Sequence, residues 1–318
     1  MFTFAPMTAI AHKAKQFLVF TIKVLIVSAA FYFIVRQLQQ NSALSLENVQ
    51  QLWTQNLTWT GILFLILLSF LNRFFEILKW QTLVSSFQKI TITQAAAQVL
   101  GALTAGIFTP NGLGEYAGKA LFYPKTQTKR IVFLNLICNG VQMLYTIGFG
   151  LLGLLCFNAY FGVVSNGIVG GFLAGLIAVF ATLFLSRSFT IRGYSIQKLL
   201  EKINEISREI HQKNLLLGLG RYLVFSHQYY FLFLVFDVQQ PYWLLMSGIT
   251  SVYFLASSLP SFQFLDFALK GSMAVLFFGP LGINDWIPVF ITALMWFLNV
   301  VIPVVIGSYF VLNFKTKS

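Results

Sequence analysis

Acidic residues are what this chain has least of: nine Asp and Glu in 318 residues, against 21 Lys and Arg. Charged residues of all kinds make up 9% of it, where an ordinary soluble domain carries about 25%. Three histidines and two cysteines, all scattered, leave no spacing suited to a metal site. Cys138 and Cys156 fall in one apolar stretch predicted as a helix. At about 1.5 Å per residue they stand roughly 27 Å apart, beyond disulfide reach, and read as packing residues. No paired carboxylates, HExxH, Cys–His or Ser–His constellation sits near an apolar turn, so neither an enzyme nor a bound cofactor is expected. The net charge of +12 comes without a nucleic-acid-binding motif. It fits cytoplasmic loops held against anionic lipid, and no nucleic-acid partner is expected.

What the chain has in abundance is apolar length. Hydrophobic residues make up 57% of it, its mean hydropathy is +0.76, and several apolar runs approach the ~20 residues that cross a bilayer as a helix. Six full spans are predicted at about 17–36, 57–78, 130–157, 163–186, 214–236 and 286–312. Lys13 and Lys15 before the first run resemble a signal peptide, but its apolar core is longer than the usual 7–15 residues and no clean cleavage site follows. An uncleaved first span is expected. No hydrophilic block is long enough for a separate domain. Residues 1–318 therefore read as one membrane domain, with a first half of about 1–190, an amphipathic interfacial linker at about 191–213 and a second half of about 214–318.

Two segments do not fit full spans. Residues 91–108 are only moderately apolar and end at the turn signal TPNGLG, after which EYAGKALFY is too short to cross. Residues 241–259 break at Pro260-Ser261 and continue through DFALKGSMAVLFF to Gly279-Pro280. Charge decides how they lie. If 91–124 dips in and returns to one face, Arg73, Lys79, Lys89, Lys125, Lys129 and Arg130 all fall on the cytoplasmic side. A hairpin at 241–280 from the outer side then leaves both termini cytoplasmic. The expected fold is an all-α integral membrane protein with about six transmembrane helices and two re-entrant hairpins. Hairpins entering from opposite faces are the layout of an inverted repeat.

Each hairpin carries the same pattern, acid, aromatic, Ala, any residue, Lys: EYAGK (Glu115 to Lys119) and DFALK (Asp266 to Lys270). Pro110, Asn111 and Gly112 make the first turn. A short helix starting near Gly114 would aim free amides at an anion, with Gly112 and Gly114 admitting a headgroup close to the backbone. Glu115 and Lys119, one turn apart, are expected to pair. Pro260, Asp266 and Lys270 are the second-half counterparts. An intramembrane charge costs about 2.5–3.5 kcal/mol on insertion scales, so such pairs read as functional by default.

Other polar residues carry weaker signals. Arg73 and Glu76 are candidates for a lipid access path, or an interfacial pair anchoring a helix end. Arg221 either contacts substrate or snorkels to the surface, and His227 is expected to be hydrogen-bonded in the bundle. Apolar residues recur at helical spacing over 195–213, predicting one amphipathic helix on the membrane. Trp53, Trp59, Trp80 and Trp286 read as interfacial anchors.

TPNGLGEYAGKALF resembles the signature of the flippase-like membrane domain of bacterial lysylphosphatidylglycerol synthases (multiple peptide resistance factors) and their stand-alone relatives. FLNRFFEILKW, with Arg73 and Lys79-Trp80, is similar to the segment ending that family's second span. The second turn departs from the pattern: Phe262-Gln263-Phe264 stands where glycines are expected, and Asp266 replaces Glu. The resemblance implies movement of a lipid headgroup between leaflets, in a stand-alone form without the synthase domain. The expected partner is a membrane lipid with a phospholipid, glycolipid or polyprenyl-linked headgroup, and the expected location is the cell membrane. The alternatives are an ion-coupled small-solute carrier and a non-transporting membrane scaffold.

Overall fold

A computed structural model describes Thr21 and residues 58–107, 109, 112–190, 195–259 and 266–314. The expected first span at 17–36 therefore lies almost wholly outside the described residues, as do Trp53, Pro110, Asn111 and Pro260. The described residues form helices and no strand.

Helix α1 runs Trp59–Val84, capped by Thr58, whose hydroxyl accepts from the Gly61 amide. Helix α2, Ile92–Gly106, starts in a capping box between Thr91 and Gln94. A turn leads to α3, Leu113–Ala120, entered through Gly112 at φ 68°, a left-handed conformation that favours glycine. Helix α4, Thr128–Phe161, ends where Gly162 adopts φ 58°. It is followed by α5, Asn166–Leu185, and the short α6, Ile196–Asn204. The second half holds α7, Arg208–Val235; α8, Tyr242–Ser258; and α9, Asp266–Phe278. It closes with α10, Trp286–Trp296, which passes through a π-turn at Phe297–Val301 into α11, Ile302–Leu312.

Four of these stretches are long and apolar enough to cross a membrane: Trp59–Val84, Lys125–Phe161, Asn166–Leu185 and Trp286–Leu312. They match four of the predicted spans, and they fit a multi-pass membrane protein. The predicted span at 214–236 falls, but for Phe236, within the 28-residue α7 and is not one of the four. Its apolar character is diluted by Arg221, Ser226, Gln228 and three tyrosines, of which Ser226, Gln228, Tyr222 and Tyr229 are buried in the bundle.

Close packing explains the two short-helix pairs. Helices α2 and α3 run back to back: a Cβ on Gly114 would lie 2.9 Å from the Gly106 Cα, and one on Gly118 would lie 2.9 Å from the Ala102 Cα. Small residues let helix backbones meet where lipid offers no hydrophobic drive. Helices α8 and α9 form the second pair, with Gly248 against Phe278. Each pair leans on the opposite half. The Thr104 hydroxyl of α2 donates to the Val304 carbonyl of α11 at 3.1 Å, while Gly150 and Gly153 of α4 meet Phe254 and Thr250 of α8.

Two expectations are corrected. The amphipathic stretch 195–213 is not one helix, since it breaks between Asn204 and Arg208. Ile206 is buried and Ile210 packs on the same cluster as Trp80 and Leu134, while Leu199 and Leu200 of α6 stay exposed. Trp80 is not at an interface. It is fully buried and donates its indole N–H to Gln98 Oε1 at 2.7 Å.

Candidate functional site

Between the two helix pairs lies a cavity of about 540 Å³. Helix α4 forms one side, presenting Asn139, Gln142, Met143 and Thr146 from a single helical face. The first pair contributes Gly112, Glu115 and Tyr116, the second Asp266, Phe267 and Lys270. Arg73 and Glu76 enter from α1, and Arg221 from α7. The cavity thus joins seven of the candidate residues, from both halves of the chain, on one wall.

The charged core of the wall is a connected network. Arg221 Nη1 donates to Glu76 Oε2 at 2.6 Å, and Arg221 Nε to Asn72 Oδ1 at 3.1 Å. Lys79 is fully buried and donates to the same Glu76 oxygen at 3.3 Å and to the Cys138 carbonyl at 3.0 Å. Asn72 Nδ2 donates to Asn299 Oδ1 at 2.7 Å, and Asn299 Nδ2 to Gln228 Oε1 at 3.0 Å. Gln228 in turn donates to Ser69 Oγ at 2.6 Å. Arg221 therefore does not snorkel. Arg73 and Glu76, three apart, do not anchor one another either: Arg73 reaches the Asn299 carbonyl at 2.6 Å.

Local sequence explains that last bond. Pro303 has no N–H to give the carbonyl four residues earlier, which is Asn299. The helix relaxes into a π-turn there, a distortion that often marks functional positions. Arg73 supplies the missing donor from α1.

The second motif behaves as expected. Lys270 Nζ lies 2.5 Å from Asp266 Oδ2, and stands 5.6 and 5.7 Å from the ring centres of Tyr253 and Phe225. In the first motif the lysine goes elsewhere. Lys119 is fully buried, donates to Asn135 Oδ1 at 2.6 Å, and sits 4.4 Å from the Trp80 ring centre. It does not line the cavity, whereas Glu115 does. Gly114 is also off the wall, because its face is filled by Gly106 and Thr109. Its amide, expected to await an anion, donates to the Thr109 hydroxyl at 2.7 Å. The helix tip is thus partly satisfied from within, and positive charge on the wall comes from Arg73, Arg221 and Lys270 instead.

Four polar atoms of wall residues are buried without a hydrogen-bond partner among the described residues: Arg73 Nε, Gln142 Oε1, Tyr222 Oη and Tyr253 Oη. Buried polar groups in native proteins are nearly always paired, so a cluster of such atoms around one cavity marks a ligand-binding surface. Among the described residues, no three His, Cys, Asp or Glu side chains converge to hold a metal ion. His227 bonds the Tyr242 hydroxyl at 2.8 Å and is not on the wall.

Sequence reasoning missed Asn72, Gln142, Tyr222, Tyr253 and Asn299. Asn72 and Asn299 had a readable signal, as amides deep inside apolar runs. The tyrosines had none amid so many aromatics. Comparison with protein-family models and with curated proteins returned no match.

Proposed function

We propose that this chain moves a lipid headgroup between the two leaflets of the cell membrane. The observation that carries the reading is the cavity where Glu115 and Asp266, from the two repeated motifs, share a wall with Arg73, Arg221 and Lys270. The helix pairs α2–α3 and α8–α9 are the re-entrant hairpins, and with six spans they build an inverted repeat whose termini are cytoplasmic. The reciprocal seating of each hairpin on the other half supports that arrangement.

Alternating access follows from it. The headgroup occupies the polar cavity while its acyl chains stay in the bilayer, past exposed Met143 and Leu113 at the rim. The hairpins open in turn as the halves rock. Charge at bilayer depth is retained here, at about 2.5–3.5 kcal/mol per group, because the cargo is charged. The resemblance of TPNGLGEYAGKALF to the flippase-like domain of lysylphosphatidylglycerol synthases supports the same activity, without lipid synthesis.

The test is leaflet exchange of labelled lipids in proteoliposomes holding the full chain. Wild-type protein is expected to accelerate exchange of an anionic lipid, and Arg221→Gln to slow it about tenfold, the effect of one charged hydrogen bond. Exchange that is no faster than in empty vesicles, across anionic, aminoacylated and polyprenyl lipids, overturns the proposal.

A further inference from the structure

We infer that the cavity takes a doubly charged phosphate, as a phosphomonoester or diphosphate headgroup, held between Arg73 and Arg221. The inference rests on the lipid-transport reading and narrows its cargo.

Charge balance is the first argument. Among the described residues, Arg221 and Lys79 bond Glu76 directly, the Lys119 and Arg73 charges also act on it, and Glu115 acts on Arg73. Four cations thus meet two carboxylates, while Asp266 and Lys270 neutralise each other separately. Among the described residues two positive charges are left over, on groups that are buried or half-buried. Such an excess is unfavourable in a low-dielectric interior unless a counter-anion enters. A phosphodiester carries one negative charge and offsets half of it. A phosphomonoester carries between 1.5 and 2, with its second ionisation near pH 6.

Geometry supplies the second argument. Arg73 and Arg221 both line the cavity, Arg73 on the Asn299 carbonyl and Arg221 on Asn72, whose amide bonds the Asn299 side chain. Arg73 Nε is buried without a partner among the described residues. Paired guanidiniums suit the forked, bidentate recognition of phosphate oxygens.

The third argument concerns how Arg221 becomes available. Removing one partner from a buried ion pair normally strands the other charge. Here Glu76 Oε2 is held twice, by Arg221 and by Lys79. Lys79 is fully buried and off the wall, so it stays when Arg221, partly exposed to the cavity, turns toward a phosphate. Anion binding then exchanges one partner of Arg221 for another, and Glu76 keeps a counter-ion throughout.

The test compares phosphatidic acid, a monoester, with phosphatidylglycerol, a diester, using the full chain. Two readouts are taken: thermal stabilisation of the solubilised protein, and leaflet exchange in phosphatidylcholine vesicles. At pH 8 the monoester is expected to bind and move about tenfold better, as one extra charged hydrogen bond predicts. The preference should shrink toward equality at pH 5, where the phosphate loses its second charge. At pH 5 the two headgroups carry nearly the same charge, so a preference that persists there does not come from the second ionisation of the phosphate. Lys119→Gln removes one surplus charge away from the wall and is expected to narrow the ratio; if that variant does not fold, the wild-type pH series decides.

Equal handling of the two lipids, with exchange intact, overturns this inference and leaves the transport reading standing. Selective stabilisation by the monoester without exchange supports the site and overturns transport. Stabilisation by inorganic phosphate equal to that by phosphatidic acid overturns the assignment to a lipid.

Discussion

Arg73 donates to the backbone carbonyl of Asn299 at 2.6 Å, across two helices separated by more than 200 residues in the chain. Pro303, four residues on, has no amide to give that carbonyl. A proline in the last helix thus positions an arginine in the first helix of the described bundle. Pro303→Ala restores a competing donor. Thermal stability is expected to rise, since an interior proline weakens a helix by about 3 kcal/mol, while headgroup exchange falls about tenfold as Arg73 loses its anchor. Unchanged exchange in the stabilised variant would show that the anchor has no role.

Glu76 holds two cations, so its removal should be felt more than that of either partner. Glu76→Gln leaves Lys79 and Arg221 without their carboxylate and is expected to destabilise by about 3–5 kcal/mol. Lys79→Met in the same chain should recover part of that loss. Denaturation of both variants in detergent measures the coupling; strict additivity refutes the shared ion pair.

The α2–α3 hairpin depends on two glycines in contact. Gly114→Ala places a methyl 2.9 Å from the Gly106 Cα and should cost about 1–3 kcal/mol through overpacking. Gly140→Ala is the control, because a Cβ there meets nothing within 4 Å, and its effect should stay within about 0.5 kcal/mol. Comparable melting temperatures for the two variants would contradict the close approach.

Cavity walls and buried lysines differ in their access to water. In a background lacking Cys138 and Cys156, Asp266→Cys is expected to react with a water-soluble maleimide, and Lys119→Cys to stay protected, since Lys119 is fully buried. Rapid labelling at 119 rejects its placement between Trp80 and Asn135.

The Asp266–Lys270 pair is about a quarter exposed, and a partly solvated pair contributes only about 0–1 kcal/mol. Lys270→Met should therefore barely change stability while slowing exchange. A large loss of stability with normal exchange reverses the assignment and makes the pair structural.

Long apolar periodicity was enough to locate α1, α4, α5 and the α10–α11 stretch, because a run of that length has few other ways to leave water. Turn residues marked the ends of α2 and α8, and charge scarcity drew attention to Glu115, Asp266 and Lys270. Arg73, Glu76 and Arg221 were also legible as charges within apolar segments, although their partners were not. Spacing alone paired Glu115 with Lys119, since residues four apart share a helix face. Packing instead aimed Lys119 at Asn135 and Trp80.

Sequence alone determined the class of this protein and the short inventory of its buried charges, since both follow from composition and local period. Only the tertiary structure decided which charges meet. A side chain's partner depends on which helix face comes within 3 Å, and that distance is set by glycines, a proline and helices hundreds of residues apart. For this reason the wall of Arg73, Glu76 and Arg221, and the amides that hold it, could be read only from the folded chain.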